Sequence, residues 1–105
     1  MNPEAAVNSD SKWGLAKRIA ASPEVRGPLA LRSFLLYIST RAITEGAKEI
    51  TEAEIGCHAL NRREDFDPKE DNIVRVQARH LRTRREEYFA GSGSGEEVVL
   101  WVPKL

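Results

Sequence analysis

The stretch from Asn72 to Ala90, NIVRVQARHLRTRREEYFA, constrains this chain more than any other. At about 100° per residue around a helix, Val74, Ala78, Leu81, Tyr88 and Phe89 share one face, and Arg75, Arg79 and Arg82 line an adjoining one. One side is fit for a core. The next carries guanidinium groups that can meet a polyanion, which is the logic of a DNA recognition helix. The plainer alternative is a solvated, Arg-rich face on a structural helix, and the periodicity alone leaves both open.

The chain of 105 residues has a length that suits one domain. Such a chain buries roughly 60 to 70% of its unfolded surface without help from disulfides or metal. No run approaches the roughly 18 apolar residues of a membrane span, and the start, MNPEAAVNSDSK, has no signal-peptide core. The expectation is a cytoplasmic domain that makes no membrane contact. Cys57 is the single cysteine, so no internal disulfide can form, in keeping with a reducing compartment. The 16 basic and 16 acidic residues cancel. Neutrality argues against strong non-specific nucleic-acid binding, so any DNA contact has to rest on local charge.

Residues 1–8 are small and polar and read as a disordered N-terminus, with the domain spanning 9–105. Ser9 or Asp10 can cap a helix running to about Ser22, on which Trp13, Ala16, Ile19 and Ala20 share a side, and Pro23 ends it. A second helix begins near Arg26 to Leu29, with Pro28 in its first turn. Its residues Leu31, Phe34, Leu35, Ile38 and Ala42 make it the central core helix, and Gly46 is its stop. Lys48-Glu49-Ile50 is a short strand or extended link. Thr51 and Glu54 form a capping box for a third helix to about Leu60, with Ile55 and Leu60 as anchors and Gly56 weakening it slightly. Residues 61–71, NRREDFDPKED, form a charged loop tethered by Phe66, and Asp71 caps the long helix. GSGSG at 91–95 is a flexible turn, and Glu96 to Pro103 has strand composition. A lone strand needs a partner, which points to Ile50 or to chain beyond residue 105, so the chain reads as cut from a longer protein.

Three helices, then a turn and a strand, is the order of a winged helix-turn-helix, a mainly α fold with a small β element. Arg75, Arg79 and Arg82 would span about 10 Å, which suits phosphates along one groove edge or guanine. Phosphate contacts are assigned to Arg79, Arg82 and Arg62, and base contacts to Arg75 and Gln77. Arg84 points elsewhere, and Arg85 falls within the apolar face and should snorkel or pair with a carboxylate. Against this stand Glu64, Asp65, Asp67, Glu70 and Asp71, which suit the helix dipole but repel phosphate. Catalytic motifs are missing: there is no glycine-rich phosphate loop and no nucleophile elbow, and Cys57, His58 and His80 do not have metal-site spacing. The expectation is a binding protein with no cofactor, no metal and no catalysis, in which Trp13 and Trp101 are core or interface anchors.

The segment DNIVRVQARHLRTRREEYFAGSGSGEEVVLWVPK resembles the C-terminal part of a winged-helix-like domain found at the N-termini of bacterial signalling and regulatory proteins. In that family a DxIVRVxxxxLRxxLxxYY helix is followed by a glycine turn and a strand ending in Pro-Lys-Gly. The upstream SPEVRGPLALRSFLLYISTRAITEGAKEITEAEIGCHALNRREDFDP is similar to the same family's first helices and IG…FGR…FDP segment, so the resemblance covers about residues 13–104. More distantly, the long helix resembles the recognition helix of response-regulator winged-helix output domains. That resemblance implies a DNA-contacting role for Arg75, Arg79 and Arg82 and a core role for Leu81. Leu105 stands where the family has glycine, so the resemblance implies an expected wing that is incomplete. The expected function is a DNA-binding or transcription-regulatory module of a larger bacterial protein, with double-stranded DNA and the parent protein's C-terminal domain as partners and a homodimer left open. The alternative is a protein-interaction or dimerisation module of the same fold that does not bind DNA.

Overall fold

The computed structural model describes residues 11–25, 27, 29–45 and 50–96. They form four helices: α1 (Ser11–Ala21), α2 (Leu29–Glu45), α3 (Glu52–His58) and α4 (Ile73–Ala90). Leu31, Phe34, Leu35 and Ile38 recur at the spacing of one helical face, and all four are buried on α2. Leu36 and Tyr37 pack against the same core from other sides of the helix, which places α2 at the centre. α1 lies on α2 through Leu15, Ile19 and Ala20, and α4 lies on it through Val74, Ala78, Leu81 and Tyr88. α3 is short and wedges between α2 and α4, with Ile55 fully buried.

Local chemistry sets the helix ends. α1 stops before Pro23, where the Ser22 hydroxyl donates to the Ile19 carbonyl at 2.6 Å and the Val25 amide donates to Ser22 O. α3 opens on Thr51, whose hydroxyl accepts from the Glu54 amide at 3.1 Å, one half of the expected capping box. The Glu54 carboxylate is used elsewhere: it accepts the Tyr37 hydroxyl at 2.6 Å and pairs with Arg41, tying α3 to α2. Asn61 turns the chain away from α3 with φ 57, a left-handed conformation that Asn tolerates better than most residues.

Phe66 then lies across α3 on Gly56. A Cβ on Gly56 would meet the Phe66 ring at 2.6 Å, so this glycine makes room for a loop anchor at the cost of helix propensity. Downstream, the Asp67 carbonyl accepts from the amides of Glu70 and Asp71, and the Asp71 carboxylate accepts from the Ile73 amide at 3.0 Å; the N-cap position itself falls to Asn72, whose side chain makes no cap bond, rather than to Asp71 as expected.

The far end of α4 is clasped. Gly93 donates to the Tyr88 carbonyl at 2.7 Å and sits so close to the Tyr88 ring that a Cβ would lie 2.1 Å from it. The turn at 91–95 is therefore specified by the ring beneath it. Glu96 receives a two-pronged contact from Arg18, both bonds 2.9 Å, together with the Tyr88 hydroxyl at 2.7 Å. Ser92 donates through its amide and its hydroxyl to Glu24. The Arg18 and Tyr88 hydrogen bonds hold the Glu96 carboxyl below its ordinary range. The Ser92 hydroxyl does the same for Glu24. Burial, then Glu96, pushes the Tyr88 hydroxyl up.

These features correct the expected winged helix-turn-helix. Among the described residues there is no strand, and the architecture is a compact all-helical globule. The link between α3 and α4 runs from residue 59 to residue 72, far longer than the roughly three- to four-residue turn of a helix-turn-helix. Ile50, the expected strand partner, is half-buried against the helical core. Glu96, the expected first strand residue, folds back onto α1 through Arg18. The physical reason is that three helices already close over α2, and the polar pull of Arg18, Tyr88 and Glu24 turns the segment after α4 toward α1. The rest of the expected strand, Trp101 included, and the expected disordered residues 1–8 lie outside the described residues. Ala42, assigned to the core face, is exposed; Leu15, which was not, is buried.

Two predictions follow from the packing. Gly56→Ala should gain up to about 1 kcal/mol of helix propensity and lose about 1–3 kcal/mol to overpacking against Phe66, a net destabilisation. In a Phe66→Ala background the same change should become neutral or stabilising in urea unfolding. Equality of the two ΔΔG values would refute the contact. The second concerns acid. A carboxylate whose folded pKa is lowered stabilises the fold above its unfolded pKa, and that stability is lost as pH falls through the folded value. Thermal melts of the wild type should therefore drop more steeply below about pH 5 than those of Glu24→Gln/Glu96→Gln. The raised Tyr88 hydroxyl acts at the other extreme: its contribution is complete below its unfolded pKa and disappears as alkaline pH passes the folded one.

Candidate nucleic-acid interface

α4 is fixed by its apolar face, and that fixes where its arginines point. With Val74, Ala78 and Leu81 buried, Arg75 and Arg79 are exposed and Arg82 is half-buried. The three fall within an arc of about 60° around the helix. Gln77 lies about 200° from Arg75, is half-buried, and does not share that arc. The structure thus brings Arg75, Arg79 and Arg82 together and leaves Gln77 on another side.

The surrounding groups differ from what the helix alone conveys. Arg75 is held at both ends of its guanidinium: Nη2 donates to the Pro68 carbonyl at 2.9 Å, and Nε lies 3.5 Å from Glu52 Oε2. Arg62 Nε lies 3.7 Å from Asp71 Oδ2, which brings it to the N-terminal end of α4. Arg79 is exposed, and its side chain meets no carboxylate among the described residues. The backbone carbonyl of Arg79 accepts the Thr83 hydroxyl at 3.2 Å. Glu86 falls on the same arc by angle, exposed, with an oxygen 3.9 Å from Arg85.

Arg85 is only 16% exposed, as expected of an arginine within the apolar face. Arg84 pairs with Glu87 at 3.3 Å one turn on. The remaining candidates are distributed elsewhere: the Cys57 thiol donates to the Arg63 carbonyl, His58 stacks on Tyr37 with ring centroids 6.0 Å apart, and His80 is exposed. Trp13 is half-buried on α1.

Glu52 and Pro68 were not foreseen as partners of Arg75. The sequence marks Glu52 only as a first-turn acid of α3, and nothing local signals that the loop brings Pro68 back over α4. In comparison with known proteins, no protein-family model, no curated protein and no solved structure matches the chain.

The arrangement can release its arginines at low cost. Arg75 and Glu52 are 46% and 22% exposed, and Arg62 and Asp71 are both near half. Ion pairs this open to water contribute roughly 0–1 kcal/mol. A double-mutant cycle with Glu52→Gln and Arg75→Ala should therefore give a coupling energy below about 1 kcal/mol in urea unfolding. A coupling of several kcal/mol would mean that Arg75 is a structural strut, unavailable to any ligand.

Proposed function

We propose that this domain is a regulatory binding module that contacts double-stranded DNA through the exposed arginine arc of α4, within a larger bacterial protein acting in the cytoplasm. The observation that carries this reading is Arg79: exposed, flanked one turn away on either side by Arg75 and Arg82, and set on a helix whose adjoining face is locked into the core. A rigid helix presents charges at fixed spacing, so little conformational entropy is lost when they meet phosphates. Such contact needs no wing. Arg79 and Arg82 supply phosphate contacts, Arg62 at the N-terminal end of α4 can add a third when Asp71 releases it, and Arg75 is placed to reach a base edge. Gln77 takes no part on the same arc. Among the described residues no helix is long and apolar enough to cross a membrane.

One observation favours a second reading, a protein-interaction or dimerisation module. Glu52 and Asp71 already lie beside Arg75 and Arg62, so one arginine of the arc and one of the neighbouring loop are neutralised within the chain, as on a polar protein–protein rim. Tyr88, which as an exposed aromatic would have supported this reading, is 4% exposed and part of the core.

Fluorescence anisotropy of the full 105-residue chain with mixed-sequence duplex DNA separates the two. Binding that weakens at least about tenfold between 50 and 200 mM salt, the figure for two neutralised phosphates, and that Arg79→Ala/Arg82→Ala loses, is the expected result. Binding that is indifferent to salt or to those substitutions, or absent in every variant at tens of micromolar, would reject the DNA reading in favour of a protein partner.

A further inference from the structure

Two of the cations around the N-terminal half of α4 each have a carboxylate within ion-pair distance, whereas Arg79 stands exposed. Glu52, in the first turn of α3, lies 3.5 Å from Arg75, and Asp71, at the entry to α4, lies 3.7 Å from Arg62. Both acids are anchored from behind by the fold. Glu52 stands on a helix fixed by buried Ile55, and Asp71 uses its other oxygen to accept from the Ile73 amide. They are therefore placed acids, unlike Glu64 and Glu70, which are exposed and have no ion pair among the described residues.

We infer that Glu52 and Asp71 are specificity-determining residues that withhold Arg75 and Arg62 from phosphate, so that the domain ignores DNA in general and engages fully only where a site offers a better acceptor than a carboxylate. The inference rests on the DNA reading of the same helix. Its physical basis is competition. A lone phosphate offers Arg75 about what Glu52 already does, and the carboxylate left behind repels the incoming backbone. A guanine edge offers two acceptors in the fork geometry of a guanidinium and carries no charge for Glu52 to repel. The Pro68 carbonyl, 2.9 Å from Arg75 Nη2, holds the fork in one orientation while it waits. Affinity for random sequence is given up, and discrimination between sequences grows. A neutral chain, with 16 acids against 16 bases, is the overall charge that such a domain tolerates.

The test compares Glu52→Gln/Asp71→Asn with the charge-matched Glu64→Gln/Glu70→Gln, both in the full chain with mixed-sequence duplex. The amide oxygens keep the shape at 52 and the acceptor for the Ile73 amide at 71, and the single variants carry the test if the double variant unfolds. Each released arginine should add about 0.9 to the salt slope. The wild type should lose about tenfold in affinity between 50 and 200 mM salt, and Glu52→Gln/Asp71→Asn about 100-fold or more, with tighter binding at 50 mM. The control pair should leave the slope at the wild-type value. Equal slopes for the two double variants, with binding still abolished by Arg79→Ala/Arg82→Ala, would overturn this inference and leave the DNA reading standing. If no variant binds, both fall together.

Discussion

The packing of α4 on α2 is the interaction from which the remainder of the molecule follows. Val74, Ala78 and Leu81 are buried to 1% exposure or less, against a helix whose Phe34 and Leu35 are buried completely. Truncating Leu81, Phe34 or Leu35 to alanine in such a core costs about 2–5 kcal/mol, a large fraction of the roughly 5–15 kcal/mol available to a domain. Because the arc of Arg75, Arg79 and Arg82 adjoins the buried face in the same 18-residue helix, the contact that holds the fold together also aims the cations. No rotation of α4 can hide the arginines without lifting Leu81 from the core.

The polar groups around α4 follow from what its two ends require. At the N-terminus unpaired backbone amides and a positive dipole end favour acids, and Asp71 supplies one in direct contact with the Ile73 amide. At the C-terminus the Gly91 and Gly93 amides return to the carbonyls of Glu87 and Tyr88, and Glu96 is drawn back by Arg18 and the Tyr88 hydroxyl. The acidic loop that looked hostile to DNA from the sequence thus carries separate assignments. Asp67 and Asp71 satisfy backbone amides, while Glu64 and Glu70 are exposed. Only the first group is fixed by the fold.

Much of the helical skeleton was legible. The 3.6-residue period on α2 and α4, Pro23 after α1 and the Thr51 hydroxyl at the start of α3 are local signals, and each governs the element beside it. What went unread is non-local. Glu96 sits 78 residues from Arg18 along the chain, and Ser92 sits 68 from Glu24, so no window of sequence holds both partners. Valines after Gly95 gave the segment strand character by composition, and the resemblance to a winged domain reinforced it; at Glu96 the side chain is drawn to Arg18 on α1. GSGSG read as a flexible turn because glycine permits flexibility; the turn is there, and Gly93 in it is needed because a side chain would collide with Tyr88. Gly56 carries the same lesson against Phe66. Of the site, the alignment of Arg75, Arg79 and Arg82 was readable from the period, whereas their carboxylate neighbours were not.

That last difference changes what a row of arginines means. Counted along a helix, three guanidinium groups suggest a surface that should bind any polyanion. Counted in space, Glu52 and Asp71 stand beside Arg75 and Arg62, and Arg79 alone of the assigned phosphate-contacting arginines is exposed with no carboxylate beside it among the described residues while Arg82 is half-buried. Exposed pairs of this kind are worth too little to explain as stabilisers, roughly 0–1 kcal/mol each. If this face meets a polyanion as proposed, a phosphate has to displace the acid and then remain beside it, so such pairs would act on the ligand more than on the fold. Selectivity of that proposed kind needs no net positive charge, which a chain of 16 acids and 16 bases does not have.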